Sequence, residues 1–462
     1  MEEKKQLTLE EQKLASSPIF KLLMSYAIPS IVSLVVNALY NIVDQIFIGN
    51  IVGYLGNGAT NVVYPVTISA MSIALLLGNG GGALFSLRLG EQNYDDAKRC
   101  VGTSTTVTVI ISVIMAICAF IFLEPICRIF GGTDELMPYA LDYGHIVVIG
   151  CPLVSIIMVL SSFIRTDGSP MRAMGAMLAG ALLNMVLDPF FMLVFNMGVK
   201  GAAYATVISQ LLGVLITVPY IRKFKTIKLE KRDFIPNLRI LGKICSLGFS
   251  SFVSQIAMLF LIGLLNNSYV HYGALSKYGS EIPLTSVGIC SKLSQIVVAF
   301  AMGMNMGSQP IVGYNYGAGN IARVKKTFLT ALGLTTCMMA IGTILFECFP
   351  TQIISLFGSE SDLYNEFATK CLRIFMLPLV LNGFVSSITI FFQAIGKPVR
   401  STILSSLRQI VILIPAIIII PKFLGLDGVI ISAPCADCIA FIVAILFMGL
   451  QWKNLGKEKG KI

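Results

Sequence analysis

Residues 221–243 read IRKFKTIKLEKRDFIPNLRILGK, the most polar stretch of a chain that is 55% hydrophobic and only 13% charged. A soluble domain typically carries about a quarter charged residues, so this composition belongs to a membrane protein. Apolar runs flank the stretch on both sides, and crossing a bilayer takes roughly 20 such residues per helix. In hydrocarbon every backbone polar group must be satisfied within the protein. The runs are long and continuous, where a β-barrel would need short alternating strands. An all-α integral membrane protein is expected, with the basic segment as the linker between two halves.

Twelve spans are predicted, at 22–48, 60–87, 100–123, 138–163, 172–195, 202–221, 240–266, 283–313, 324–348, 367–393, 399–420 and 428–452. They divide the chain into a lead-in (1–21), a six-helix lobe (22–221), the linker (222–243), a second six-helix lobe (244–452) and a tail (453–462). The charged lead-in MEEKKQLTLEEQKLASSP is no cleavable signal, and the first span is expected to serve as an uncleaved insertion signal. The formal charge of +10 is topological rather than a nucleic-acid footprint. With the N-terminus inside, Lys4, Lys5, Lys13, Lys21, Arg88, Lys98, Arg99, the linker, Arg323, Lys325, Lys326 and the tail from Lys453 all fall on one side. The opposite loops carry only Arg128, Lys200, Lys277 and Lys422. That asymmetry puts both termini in the cytoplasm and the chain in the cytoplasmic membrane.

The two halves look like copies. A shift of 227 positions brings Leu89-Gly90-Glu91-Gln92-Asn93 onto Tyr316-Gly317-Ala318-Gly319-Asn320, and Ile129-Phe130-Gly131 onto Leu356-Phe357-Gly358. The same shift sets Gly198-Val199-Lys200-Gly201 on Gly425-Leu426-Asp427-Gly428. One residue more aligns Gly168-Ser169-Pro170-Met171-Arg172 with Gly396-Lys397-Pro398-Val399-Arg400. An even number of spans per copy gives both the same orientation, related by an axis along the membrane normal, as in parallel transporter repeats.

Charge inside the membrane is expensive and marks candidate functional sites. Asp44 lies in the first span and Asp188 in the fifth, within Asn184-Met185-Val186-Leu187-Asp188-Pro189. The second copy keeps the proline as Pro415 and loses the acid. Pro189 cannot donate to the carbonyl one turn back, so it frees acceptors near the carboxylate. Asn184 shares the Asp188 face, one helical turn away. Such oxygens suit a hard cation such as Na⁺, and two desolvated carboxyls close together would instead share a proton. The plainer alternative is that both aspartates only hydrogen-bond between helices, and for Asp437 in the last span local bonding is an equal contender. The run Gly78-Asn79-Gly80-Gly81-Gly82 has no strand before it and no P-loop lysine after it, so it reads as helix packing and not as a nucleotide cradle. Cys435 and Cys438 have CxxC spacing without a second pair, and read as small buried residues. No catalytic constellation is visible, so no enzyme is expected.

Pro29, Asn41-Ile42-Val43-Asp44, Leu89-Gly90-Glu91, Asn184 to Pro189, Gly201-Ala202-Ala203-Tyr204-Ala205-Thr206 and Gly317-Ala318-Gly319-Asn320 occur in this order on a duplicated chain. Together they resemble the multidrug and toxic compound extrusion (MATE) family over nearly the whole length. The resemblance implies two six-helix lobes forming a V, and exchange of Na⁺ or H⁺ for cationic, amphiphilic drugs. It implies an ion site in the N-terminal lobe at Asp44, Asn184, Asp188 and Thr206. The C-terminal lobe carries Gln255, Asn266 and Gln393 where other members have acids, which turns the expectation towards the N-terminal lobe. Tyr40, Tyr64 and Phe163 are candidate cargo contacts. No cofactor beyond the coupling ion, no nucleotide and no nucleic acid is expected; the partners are organic cations and membrane lipid, and the protein is expected to act as a monomer. The rival reading is a flippase for a lipid-linked oligosaccharide or peptidoglycan precursor, which would need Arg and Lys in the cavity; only Lys292, Lys370, Arg373 and Arg408 are placed for that.

Overall fold

The computed structural model describes residues 7–355 and 361–455. Lys4, Lys5, the landmark Leu356-Phe357-Gly358 and the tail beyond Leu455 lie outside the described residues. Twelve helices are long and apolar enough to cross a membrane. Spans 1 to 6 are Ile19–Ile51, Leu55–Gly90, Tyr94–Ile121, Met137–Thr166, Pro170–Val194 and Val199–Lys223. Spans 7 to 12 are Leu238–Ala274, Glu281–Gly317, Ile321–Cys348, Asp362–Ala394, Pro398–Ile419 and Pro421–Asn454. Most run a few residues beyond the apolar stretch that announces them, because helix hydrogen bonding continues into the polar interface until a cap or a breaker stops it.

Those stops recur in both lobes. Asn93 accepts a hydrogen bond from the Asp96 amide at 3.1 Å and so starts span 3; Asn320, 227 residues on, accepts from the Arg323 amide at 3.2 Å and starts span 9. The residue before each cap lies in the left-handed region, Gln92 at φ 59° and Gly319 at φ 74°. Gly198 and Gly425, also 227 apart, turn the chain before span 6 and within the first turns of span 12, at φ 55° and 59°. The duplication thus extends to backbone conformation: the short side chain that caps, and the turn in front of it, are specified locally by the same residues twice.

The lobes meet on the side of the membrane that carries the linker. Glycines make the meeting possible. A Cβ on Gly80 of span 2 would stand 2.1 Å from the Ile244 carbonyl oxygen of span 7, and one on Gly248 would stand 1.8 Å from that of Leu76. Gly90 would meet the Tyr314 oxygen at 2.0 Å, and Gly307 of span 8 the Ala27 nitrogen of span 1 at 2.6 Å. Small residues that let backbones approach are the usual currency of helix contact in membranes. Towards the opposite side spans 1 and 8 separate, and a cavity of about 290 Å³ opens between Gln45, Asn50 and Asn57 of the first lobe and Lys292 of the second. The result is a two-lobed V with its closed end at the linker.

A short helix, Leu9–Ser16, lies across that closed end. Thr8 and Glu11 form a reciprocal capping box at its start. Its acids face the first lobe and the linker: the Tyr94 hydroxyl donates to Glu11 at 2.8 Å, and Lys225 donates to Glu10 at 2.9 Å. Its last carbonyls face the second lobe, where Asn315 and Arg323 donate to the Leu14 oxygen at 3.1 and 3.0 Å, and Arg323 also to that of Ser17.

Candidate functional site

Span 5 starts at Pro170, the first helical turn, where a missing N–H costs nothing. At its far end Pro189 interrupts the ladder, and the next residues, Phe190–Val194, adopt a π-helix. The expected opening of the helix is therefore realised as one widened turn directly after Asp188; such π turns recur at functional sites. The second lobe carries a π stretch as well, Leu407–Leu413, but it precedes Pro415 and contains no acid of its own.

The structure brings four of the expected residues together. Asn184 and Asp188 are almost fully buried, at 2% and 1% exposure. The Asn184 amide donates to Asp188 Oδ1 at 3.1 Å and approaches the Thr206 hydroxyl oxygen of span 6 at 3.5 Å. The carboxyl of Asp44 of span 1 lies close enough to that of Asp188 for the two to interact. One oxygen of each remains buried without any donor: Asp44 Oδ1, Asn184 Oδ1 and Asp188 Oδ2. Buried acceptors normally find a partner, so three unsatisfied ones in one cluster point to something that the cluster binds. A hard cation, which takes oxygen ligands, has the matching chemistry.

Tyr40, one helical turn before Asp44, and Tyr143 of span 4 both lie close enough to feel the charges of Asp44 and Asp188. Tyr64 neighbours Tyr40 and is 48% exposed. Phe163 is not part of this constellation. It is fully buried and packs edge-on to Phe85 with ring centres 5.7 Å apart, inside the core that joins the lobes in this conformation. An aromatic residue inside a span shows that it is apolar, not which face of the helix it occupies.

Two residues escaped the sequence reading. Gln210 lies one turn beyond Thr206 on the same face of span 6, and its Oε1 is buried without a donor. The spacing from Thr206 was the available signal. Tyr143 has none: it is neither charged nor in a motif. In the second lobe, Arg408 Nε lies 2.5 Å from Asp437 Oδ1, Lys370 lies 2.6 Å from Asp427, and Arg373 lies 3.8 Å from Glu347. Three of the four basic residues considered for an anionic cargo are thus tied to carboxylates. Lys292 alone faces the cleft. No group of three or more His, Cys, Asp or Glu with metal-site geometry occurs among the described residues.

The MatE family model matches the chain twice, over residues 29–190 and 251–419. The chain belongs to the MatE family. MATE proteins are transporters and not enzymes, and the duplicated match falls on the two lobes. The multidrug export protein MepA of Staphylococcus aureus is 30% identical over 455 residues, covering 96% of this MATE chain and 97% of that protein. Among solved structures, an outward-facing multidrug resistance MATE transporter of the MOP superfamily superimposes with a TM-score of 0.90 at 26% identity, covering 99% of this chain and 100% of that one. A MOP superfamily transporter from Pyrococcus furiosus, described as having a binding pocket of reversed polarity that suggests a different function, matches with a TM-score of 0.87 at 26% identity, covering 98% and 99%. The fold therefore accommodates pockets of either polarity, and the polarity of this one has to be read from its own side chains. This MATE protein is a multi-pass membrane transporter of the multidrug export type.

Proposed function

We propose that this transporter exports cationic, amphiphilic organic molecules in exchange for Na⁺ or H⁺ taken up at Asp44, Asn184, Asp188 and Thr206. The observation that carries the reading is the cluster of donor-less oxygens on Asp44, Asn184 and Asp188. With a proton between the carboxyls the two acids share one hydrogen bond, and the cluster carries one negative charge less. With the proton gone, two carboxylates and an amide oxygen suit Na⁺, with the Thr206 hydroxyl beside the amide. Cargo and ion compete for the same negative charge across the cleft, and that exclusivity is what couples their movements. Tyr40 and Tyr64 offer aromatic faces, to which an organic cation is attracted.

The linker side is cytoplasmic in this reading, because it gathers the basic residues. The cleft then opens outwards, the state in which cargo leaves and the ion enters. The chain contains both lobes and the whole cleft, so a monomer suffices. The flippase alternative loses support from the paired state of Lys370, Arg373 and Arg408.

The test is efflux of a fluorescent organic cation from proteoliposomes under an imposed Na⁺ or pH gradient. Gradient-driven movement by the wild type, lost in Asp44→Asn, supports the antiporter and names its ion. A correctly folded wild type that moves nothing under either gradient overturns it.

A further inference from the structure

At the linker-side ends of spans 4, 5 and 6 the helices enclose a second cavity, of about 440 Å³, lined by Ile164, Met171, Arg172, Gly175, Tyr220 and Lys223 among others. Its volume lies in the range of small-molecule sites. The wall is apolar and open to the bilayer: Met171 is 61% exposed, and Ile216 39%. A Cβ on Gly175 would meet nothing within 4 Å, so the space continues down the face of span 5.

The rim is basic. Arg172 begins span 5 and Lys223 ends span 6, and both line the cavity. Neither has an ion-pair partner among the described residues, and the Arg172 guanidinium lies over the Tyr220 ring, 5.2 Å from its centre. The acids nearby are already engaged. Asp167 accepts from the Tyr220 hydroxyl at 2.7 Å, from the Lys225 and Thr226 amides at 2.8 and 3.0 Å, and from the Thr226 hydroxyl at 2.6 Å. Glu10 is paired with Lys13 and Lys225. Two positive charges therefore face the cavity mouth without an ion-pair partner among the described residues, and the Tyr220–Asp167 bond holds one wall in place.

We infer that this cavity binds an anionic glycerophospholipid, its phosphate between Arg172 and Lys223 and an acyl chain along Met171, Gly175 and Ile216. An apolar slot at acyl-chain depth beneath unpaired cations at headgroup depth is complementary to such a lipid and to nothing that is wholly polar. The bound headgroup would sit beside Lys225 and Thr226, where the linker leaves the first lobe, so lipid occupancy bears on the segment that joins the lobes.

The experiment is native mass spectrometry of the full-length protein titrated with phosphatidylglycerol or phosphatidylcholine, paired with thermal melts in detergent. Wild type should retain phosphatidylglycerol selectively and melt higher in its presence, while phosphatidylcholine and inorganic phosphate do neither. Each cation near a lipid phosphate contributes a factor of about five in affinity, so Arg172→Gln/Lys223→Gln should bind roughly 10–30-fold more weakly. Gly175→Leu fills the slot without touching a charge and should also weaken retention. Equal retention by the double variant and by Gly175→Leu would overturn the site. An equal thermal shift from inorganic phosphate would reduce it to a free-anion patch, and equal retention of phosphatidylcholine would reduce it to a nonspecific groove.

Discussion

Asp44 and Asp188 stand out in the sequence because acids are rare in membrane spans, and Asn184 stands out by its spacing from Asp188. Thr206 is nameable only through the family resemblance, Gln210 only by its spacing from Thr206, and Tyr143 not at all, since uncharged residues carry no mark of cost. Asp44→Asn should abolish gradient-driven export while leaving insertion and melting temperature near wild type; a variant that still transports would remove Asp44 from the mechanism. Asp188→Asn should flatten the Na⁺ or pH dependence of transport, measured as initial rates across a series of imposed gradients. Phe163→Ala belongs to a different category. Deleting a buried ring from the core that joins the lobes costs stability on the order of 3 kcal/mol. It should lower the melting temperature without changing the apparent affinity for cargo, and a changed affinity with unaltered melting would return Phe163 to the binding surface.

Among the elements, the spans were legible because twenty apolar residues have few other uses, and their number and order follow from the sequence. Their ends were less so. Span 7 continues to Ala274, past the polar Asn266 and Asn267, because neighbouring apolar and small residues keep the helix going. The charged lead-in was read as a mere approach to the membrane, yet the helix Leu9–Ser16 ties both lobes to the linker through contacts with residues hundreds of positions away, which no local pattern encodes. Burial alone would push the Glu10 carboxyl up; the ammonium groups of Lys225 and Lys13 outweigh it and hold its pKa below the ordinary 4.5. The attachment is therefore complete above that value and is lost as pH falls through the lower folded-state pKa. The protection of the Leu9–Ser16 amides against hydrogen exchange, taken relative to the intrinsic rate at each pH, should fall as the solution is acidified below about 4.5, and Glu10→Gln should show the lower protection already at neutral pH. Exchange in that variant matching wild type would mean that the Leu14 carbonyl contacts suffice by themselves.

At the scale of the whole molecule, the duplication and the V follow from landmarks 227 residues apart, but the state of the V does not. Closure at the linker depends on how two backbones meet, and glycines such as Gly80 are its only hint in the sequence; there the run Gly78 to Gly82 reads simply as packing. A side chain at Gly248 larger than hydrogen cannot fit while the lobes are closed. Gly248→Val should shift the population towards a form open on the linker side, seen as longer distances between spin labels on spans 2 and 7, and should slow export. Unchanged distances with a folded protein would show that the helices re-seat around the added methyls.

The seam has a kinetic meaning too. Most helix interfaces lock by meshing side chains, and parting them means that many rotamers must unthread together. Here, at Gly80, Gly90, Gly248 and Gly307, main chain faces main chain in close van der Waals contact, between patches of ordinary side-chain packing. Such faces release without unthreading and re-seat without search. The hydrogen bonds of the N-terminal helix that straddles the joint then add to the barrier without being part of the seam, so a transporter of this build can be slowed or hurried at its tether as well as at its faces.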